Sequence, residues 1–296
     1  KSVPFSKRTM MDRLLPDQLK AAWQAVEAKS LTAEEFDARQ QDWLEEYREI
    51  WRQALLLDGQ SDLARSLPAE IALFSGDSVE EVERRCKRAV TAIAEEWNEQ
   101  VSTADRESVE RYYDQSEGYI YDLMWWHALH DDNSPLGYVT ALDFARRSGC
   151  GSYLDFGSGV GAGALVFARN GFDVALADIS STLLGFSHWR LSRRGLPAQF
   201  IDLKQEKLPD KAFDFITAMD VFEHLVDPVE ALNELHRSLK PGGYLFGRFA
   251  AEEDESHPQH IVHDFAPTFA RLAELGFKEV WRDEWLWGHQ VFQKQS

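Results

Sequence analysis

The sequence predicts an α/β fold: a doubly wound, mainly parallel seven-stranded sheet preceded by an all-helical segment. Three observations carry this reading. From residue 1 to about 135, apolar residues recur at helical spacing, Gly and Pro are sparse, and no alternating strand pattern appears. From about residue 150, the short apolar runs SYLDFG, DVALAD, AQFID, FDFITAMD and GYLFGRF alternate with helical stretches, as buried strands of a parallel sheet do. The tail FKEVWRDEWLWGHQVFQ supplies two more strands, read as an antiparallel hairpin at the sheet edge.

Each element has its own justification. An early helix carries Leu19, Trp23 and Val26. Thr32 with Glu35, and Ser78 with Glu81, have the capping-box spacing in which hydroxyl and carboxylate satisfy backbone N–H groups at a helix start. Phe36, Trp43, Tyr47, Ile50 and Trp51 mark the helix after the first cap. Val79, Val82, Cys86, Val90, Ile93 and Trp97 form one stripe of a helix that runs from the second cap to about residue 100. The Trp residues of this segment are read mainly as core filler. The turn-rich DDNSPLG, Asp131 to Gly137, marks a boundary, so residues 1–135 form a helical domain and 136–296 an α/β domain. A helix from Val139 to Arg147 leads into the first strand.

Composition excludes several function classes. The chain of 296 residues carries a formal charge of −18. The first 135 residues hold 16 basic against 28 acidic side chains, so they are no arm for a phosphate backbone, and no nucleic-acid partner is expected. Cys86 and Cys150 are too few for a disulfide framework or a Cys-rich zinc site and are read as reduced thiols. KSVPFSKRTMMDRLL has no apolar core of a signal sequence, and no apolar run approaches membrane-spanning length. A cytoplasmic, non-membrane protein is expected, with a trimmed leader left open because residue 1 is not Met.

The most informative stretch is Leu154-Asp155-Phe156-Gly157-Ser158-Gly159-Val160-Gly161-Ala162-Gly163, which comes after a strand and opens a helix. Its glycines let the backbone turn tightly and approach a ligand with no Cβ in the way. In open α/β sheets, ligands sit beyond the carboxyl ends of the strands, where strand order reverses. Gly157-x-Gly159-x-x-Ala162 also fits the relaxed dinucleotide pattern, with Asp178 at the spacing of a ribose-binding acid in either case. The downstream residues separate the two: Asp178 ending the second strand, Asp202 the third, Phe213-Asp214-Phe215-Ile216 entering the fourth, then Asp220-Val221-Phe222-Glu223-His224-Leu225, and Leu239-Lys240-Pro241-Gly242-Gly243 before the fifth.

Taken in order, this series resembles the class I S-adenosylmethionine-dependent methyltransferases over roughly residues 139 to 296, and among them the small-molecule enzymes of ubiquinone and cyclopropane-synthase type. The resemblance implies S-adenosyl-L-methionine as cofactor, S-adenosyl-L-homocysteine as product, and in-line methyl transfer to a small organic acceptor. It implies that Asp155, Gly157, Gly159 and Gly161 line the methionine portion, that Asp178 holds the ribose with Ile179 against the adenine, and that Asp202 receives the adenine amino group with Leu203 nearby. The backbone around Met219 and Asp220 would contact the methionine amino group. The helical segment would supply part of the acceptor pocket, a homodimer interface, or both. The alternative from another class is a cofactor-binding regulatory or scaffolding protein without catalysis.

Candidate chemistry on the acceptor side keeps its alternatives. His224, with Glu223 beside it, is placed by the resemblance after the fourth strand, as a proton-moving pair or as shapers of the loop. His257, His260 and His263 recur at steps of three beside Glu252, Glu253, Asp254 and Glu255; they read as substrate contacts, as metal ligands or as a solvated loop, and no metal is assigned. The aromatic run from Tyr112 and Tyr113 through Tyr119, Tyr121, Trp125 and Trp126 to His127 and His130 reads as a lid with Tyr113 and Trp126 on the acceptor, or as core.

Overall fold

The computed structural model describes residues 17–130, 132–250, 255–283 and 287–295, with side chains from residue 21 onward. Six helices come first: α1 (Asp17–Glu27), α2 (Ala33–Leu55), α3 (Leu63–Ser75), α4 (Val79–Gln100), α5 (Arg106–Gln115) and α6 (Gly118–His127). After the short turn Ser134–Leu136 come α7 (Gly137–Arg147), β1 (Ser152–Phe156), α8 (Ala162–Arg169), β2 (Asp173–Asp178), α9 (Ser181–Arg193), β3 (Gln199–Asp202) and β4 (Phe213–Ala218). The chain then forms α10 (Pro228–Ser238), β5 (Leu239–Gly247), α11 (Ala266–Glu274), β6 (Phe277–Arg282) and β7 (Gln290–Lys294).

The sheet order is β3-β2-β1-β4-β5-β7-β6. β1 to β5 pair in parallel, and β7 enters antiparallel between β5 and β6. Strand order reverses between β1 and β4, so the crevice at their carboxyl ends is where a ligand fits. The doubly wound sheet and its terminal antiparallel pair are as the sequence predicts. Tyr153, Leu176, Phe215 and Phe246 point to one face and Leu154, Ala177, Ile216 and Leu245 to the other, each joining a separate buried cluster. Helices α7, α8 and α9 cover the first face, and α10 and α11 the second.

The helical segment lies over the first face rather than standing apart. Trp23, Trp43, Trp51 and Trp97 are buried in the same apolar cluster as Phe167 of α8 and Phe186 of α9. Trp51 Nε1 donates to the His127 carbonyl at 2.9 Å, and its ring stacks on Tyr138 of α7 at 6.1 Å. Glu70 of α3, fully buried, receives Arg190 of α9 at 2.9 Å and Arg194 beside it. Arg190 also donates to the Val160 carbonyl at 2.7 Å, so an ion pair with the helical segment braces the loop after β1.

Three local expectations are corrected. Thr32 and Glu35 form the full capping box, whereas Ser78 accepts from Glu81 N but Glu81 turns its carboxylate to Arg84 at 2.6 Å, so the reciprocal half is missing. In the α4 stripe Val82, Cys86, Ile93 and Trp97 are buried while Val79 and Val90 are exposed, because Val79 sits at the open first turn and Val90 at the rim of a cavity. The fifth strand begins at Leu239, not after Gly243. The Leu19 side chain, Asp131, Glu252, Glu253 and Asp254 lie outside the described residues. No described helix is long and apolar enough to cross a membrane.

Candidate active site

A cavity of about 1010 Å³ opens at the carboxyl ends of β1, β2 and β4, roofed by α4, α5 and α6. Its floor is the loop after β1. Gly157 and Gly159 take φ of +68° and +50°, which L residues rarely adopt. A Cβ on Gly157 would lie 2.5 Å from the Val221 side chain and one on Gly159 2.8 Å from the Leu123 side chain, so a side chain at either position would force its neighbour to move. The loop docks on β2 through Gly157 N to Ala177 O at 2.8 Å, and Ser187 Oγ donates to the Gly159 carbonyl at 2.8 Å. Ser158 lines the cavity with a buried Oγ that has no hydrogen-bond partner among the described residues.

Asp178 closes β2. Its Oδ2 accepts Gly159 N–H and its Oδ1 accepts Ser180 N–H, both at 2.9 Å. Burial raises its carboxyl, against the backbone N–H groups that lower it. Ile179, Leu183 and Leu203 add an apolar wall beside it. Asp220, after β4, holds φ of +49°, a strained conformation of the kind found at ligand sites, and receives Arg248 at 3.2 Å.

The opposite wall is aromatic and imidazole-rich. Tyr113 Oη lies 2.9 Å from His224 Nδ1 and donates to the Gln259 carbonyl at 3.2 Å; His224 Nδ1 is 3.2 Å from the same carbonyl. Trp126 from α6 and His257 and His260 from the loop after β5 complete this side. Burial, with His260 nearby, pushes His224 down to about 4, which keeps its ring neutral at pH 7. Burial and then the charge of Asp220 push Glu223 up to about 8.

The structure therefore brings Gly157, Gly159, Asp178, Ile179, Leu203, Met219, Asp220, Glu223, His224, Tyr113, Trp126, His257 and His260 to one cavity. Four candidates stand elsewhere. Asp155 is buried one layer behind the floor, accepting Ala164 N–H and Thr217 Oγ1 at 3.1 Å each, so it fixes the start of α8; burial raises its carboxyl to about 7. Gly161, φ +72°, is the residue from which α8 begins and packs on Ser187. Asp202 is held by Lys204 and by its own turn. His263 is exposed beyond the cavity. The aromatic run divides: Tyr112 packs on Trp97 as core, and Tyr113, Trp125 and Trp126 face the cavity. Sequence reasoning did not single out Ser158, Leu183, Arg248 or Gln259. Ser158 lay within the glycine motif and was legible there; the other three reach the cavity only through packing.

Residues 154–247 match a family described as Methyltransferase domain. Ubiquinone biosynthesis O-methyltransferase of Pseudomonas aeruginosa is 28% identical over 174 residues, which cover 51% of this chain and 74% of that protein. Demethylmenaquinone methyltransferase of Thermus thermophilus is 34% identical over 109 residues, 36% of this chain and 50% of that protein. Among solved structures, a SAM dependent methyltransferase from Aquifex aeolicus aligns at 20% identity and a TM-score of 0.43, covering 64% of this chain and 97% of that one.

Proposed function

We propose that this chain is a class I S-adenosylmethionine-dependent methyltransferase, a reading supported by the methyltransferase-domain match over residues 154–247 and by the strand order, and that it methylates a small organic acceptor held between the glycine loop and the aromatic wall. The observation that carries this is the shared cavity: one space of about 1010 Å³ is bounded by Gly157, Gly159 and Asp178 on one side and by Tyr113, Trp126 and His224 on the other. That volume stands at the upper end of the roughly 300–1,000 Å³ of ordinary ligand pockets, which leaves room for a cofactor and an acceptor together.

The residues present fit the cofactor. Bare backbone at Gly157 and Gly159 admits a ligand where any side chain would clash, the unpartnered Ser158 hydroxyl faces the same space, and Asp178 offers a carboxylate at the strand end. When bound, S-adenosylmethionine supplies a methyl group on a sulfonium whose positive charge vanishes as the methyl leaves. In this reading Asp178 receives the ribose hydroxyls, Ile179, Leu183 and Leu203 flank the adenine, and Met219 with Asp220 faces the amino-acid end. Asp155 and Gly161 shape the loop from behind, and Asp202 organises the turn after β3. Tyr113 and Trp126 orient a flat or apolar acceptor, since rings give contact area with a polar tip. Alignment and exclusion of water supply much of the acceleration in such a displacement. His224, neutral at pH 7, accepts or passes a hydrogen bond, and Glu223 carries a proton near neutrality.

Titration calorimetry with S-adenosylhomocysteine, then an acceptor screen, tests this. Binding of the product, turnover on at least one phenolic, amine or carbon acceptor, and a tenfold or larger rise in KM for that acceptor in Trp126→Ala at an unchanged melting temperature are expected. Product binding with no turnover across those classes would instead favour a scaffold.

A further inference from the structure

Glu223, His224 and His260 lie on the acceptor wall of the cavity with one ligand atom from each within 4.8 Å of the others. They come from two loops 36 residues apart, and the main chain clips those loops together. The Glu223 carbonyl accepts the N–H groups of Ile261 and Val262 at 2.8 and 3.0 Å, and His260 N donates to the His257 carbonyl at 3.0 Å. The His224 and His260 rings meet edge to face at 4.8 Å, and His257 stacks on His260 at 5.2 Å. The trio is thus held by backbone rather than by a chance meeting of long side chains.

We propose that Glu223, His224 and His260 form a binding site for one divalent cation of the borderline class that two imidazoles and a carboxylate select, with zinc or cobalt as the type. Two independent observations point to a ligand there. Glu223 is 2% exposed, and its Oε2 has no hydrogen-bond partner among the described residues, a costly arrangement for a buried carboxyl unless a proton or a cation meets it. His224 has its Nδ1 engaged by Tyr113 and Gln259, which turns Nε2 into the available donor, the usual arrangement in which a second partner orients a metal-ligating imidazole. Tetrahedral ligation at roughly 2.1 Å places ligand atoms about 3.4 Å apart, so the trio closes by up to about 1.4 Å to grip an ion. Three protein ligands leave a position open toward the cavity, where an oxygen ligand, water or acceptor hydroxyl, completes the shell. The site differs from the three-His arrangement that the sequence spacing suggests: His263 stays exposed outside the cavity, and the carboxylate comes from beside β4.

Cobalt(II) titrated into chelator-treated full-length protein and monitored by its visible absorption reads this directly, with zinc competition confirming the site. One equivalent should bind with a dissociation constant in the micromolar range or tighter. His260→Ala and Glu223→Gln should each weaken uptake at least tenfold with folding intact by circular dichroism, and His263→Ala should leave it unchanged. No one-to-one uptake by the wild type, or folded His260→Ala and Glu223→Gln proteins that bind as tightly as it does, would overturn the assignment. So would loss of uptake in His263→Ala alone. S-adenosylhomocysteine calorimetry on the same sample reports on the cofactor site separately, so failure of the cation site leaves the methyl-transfer reading standing, and the reverse.

Discussion

Gly157 and Gly159 do two things that no other residue type can do together: they adopt positive φ, and they leave no Cβ between Val221, Leu123 and the cavity. Gly157→Ala adds strain of about 1–2 kcal/mol and a methyl 2.5 Å from the Val221 side chain, so the loop or that side chain must shift. S-adenosylhomocysteine affinity is expected to fall at least tenfold in Gly157→Ala and in Asp178→Ala by calorimetry. Asp178 also organises the loop, because its two oxygens hold Gly159 and Ser180 N–H. Unchanged affinity in both variants would remove the glycine loop from the cofactor site. At this scale the motif was readable because it is contiguous: spacing alone places its glycines and its acid. The strain at Asp220 was not, since φ of +49° is set by the strand exit and leaves no mark on residue type.

Among the elements, β1 and β4 are joined at their entry by Asp214. Its Oδ2 accepts Ser152 N–H at 2.9 Å, Ser152 Oγ at 2.8 Å and Gly151 N–H at 3.1 Å, and its Oδ1 meets Lys240 Nζ at 2.9 Å. Burial alone would raise this carboxyl; the Ser152 N–H, the Lys240 ammonium and the remaining bonds outweigh it and hold it at about 2. A depressed carboxylate stabilises the fold above its unfolded pKa of about 3.9, and that contribution is lost as pH falls from about 4 toward 2. Asp214→Asn should lower unfolding free energy by about 1 kcal/mol at pH 7, the figure discounted for partial exposure. Urea melts across pH should show the gap to wild type shrinking below pH 4; a gap independent of pH would disprove the charge-based account. Helix starts were half legible for a similar reason. Thr32 and Ser78 cap as their spacing predicts, but Arg84 competes for the Glu81 carboxylate, and a neighbour three residues on is enough to win it.

Over the whole molecule, the helical segment and the sheet share one apolar cluster, and Glu70 with Arg190 and Arg194 forms a buried bridge between them. Burial raises Glu70, but the two guanidinium groups outweigh it and hold its carboxyl below the usual range. Removing one partner leaves the other charge buried and alone, at a cost of about 3–5 kcal/mol. Glu70→Ala should therefore lower the melting temperature by many degrees, and the loss should extend to S-adenosylhomocysteine binding, because Arg190 also holds the Val160 carbonyl in the glycine loop. Calorimetric unfolding should show one transition. Two separated transitions, with only the first moved by Glu70→Ala, would mean that the segments fold independently.

The sequence by itself determined what is local or periodic: the alternation of strands and helices, the glycine loop that opens α8, and the acids that end β2 and β3. Tertiary structure decided which of these line the cavity. Asp202 turns to Lys204, Asp155 retreats behind the floor, and His260 arrives beside Glu223 and His224 because main-chain bonds to Ile261 and Val262 bring it there. A backbone pattern repeats along the chain and can be read in order. A meeting of side chains 36 or 120 positions apart is set by how whole elements pack, and one sequence read in isolation carries no separate signal for it.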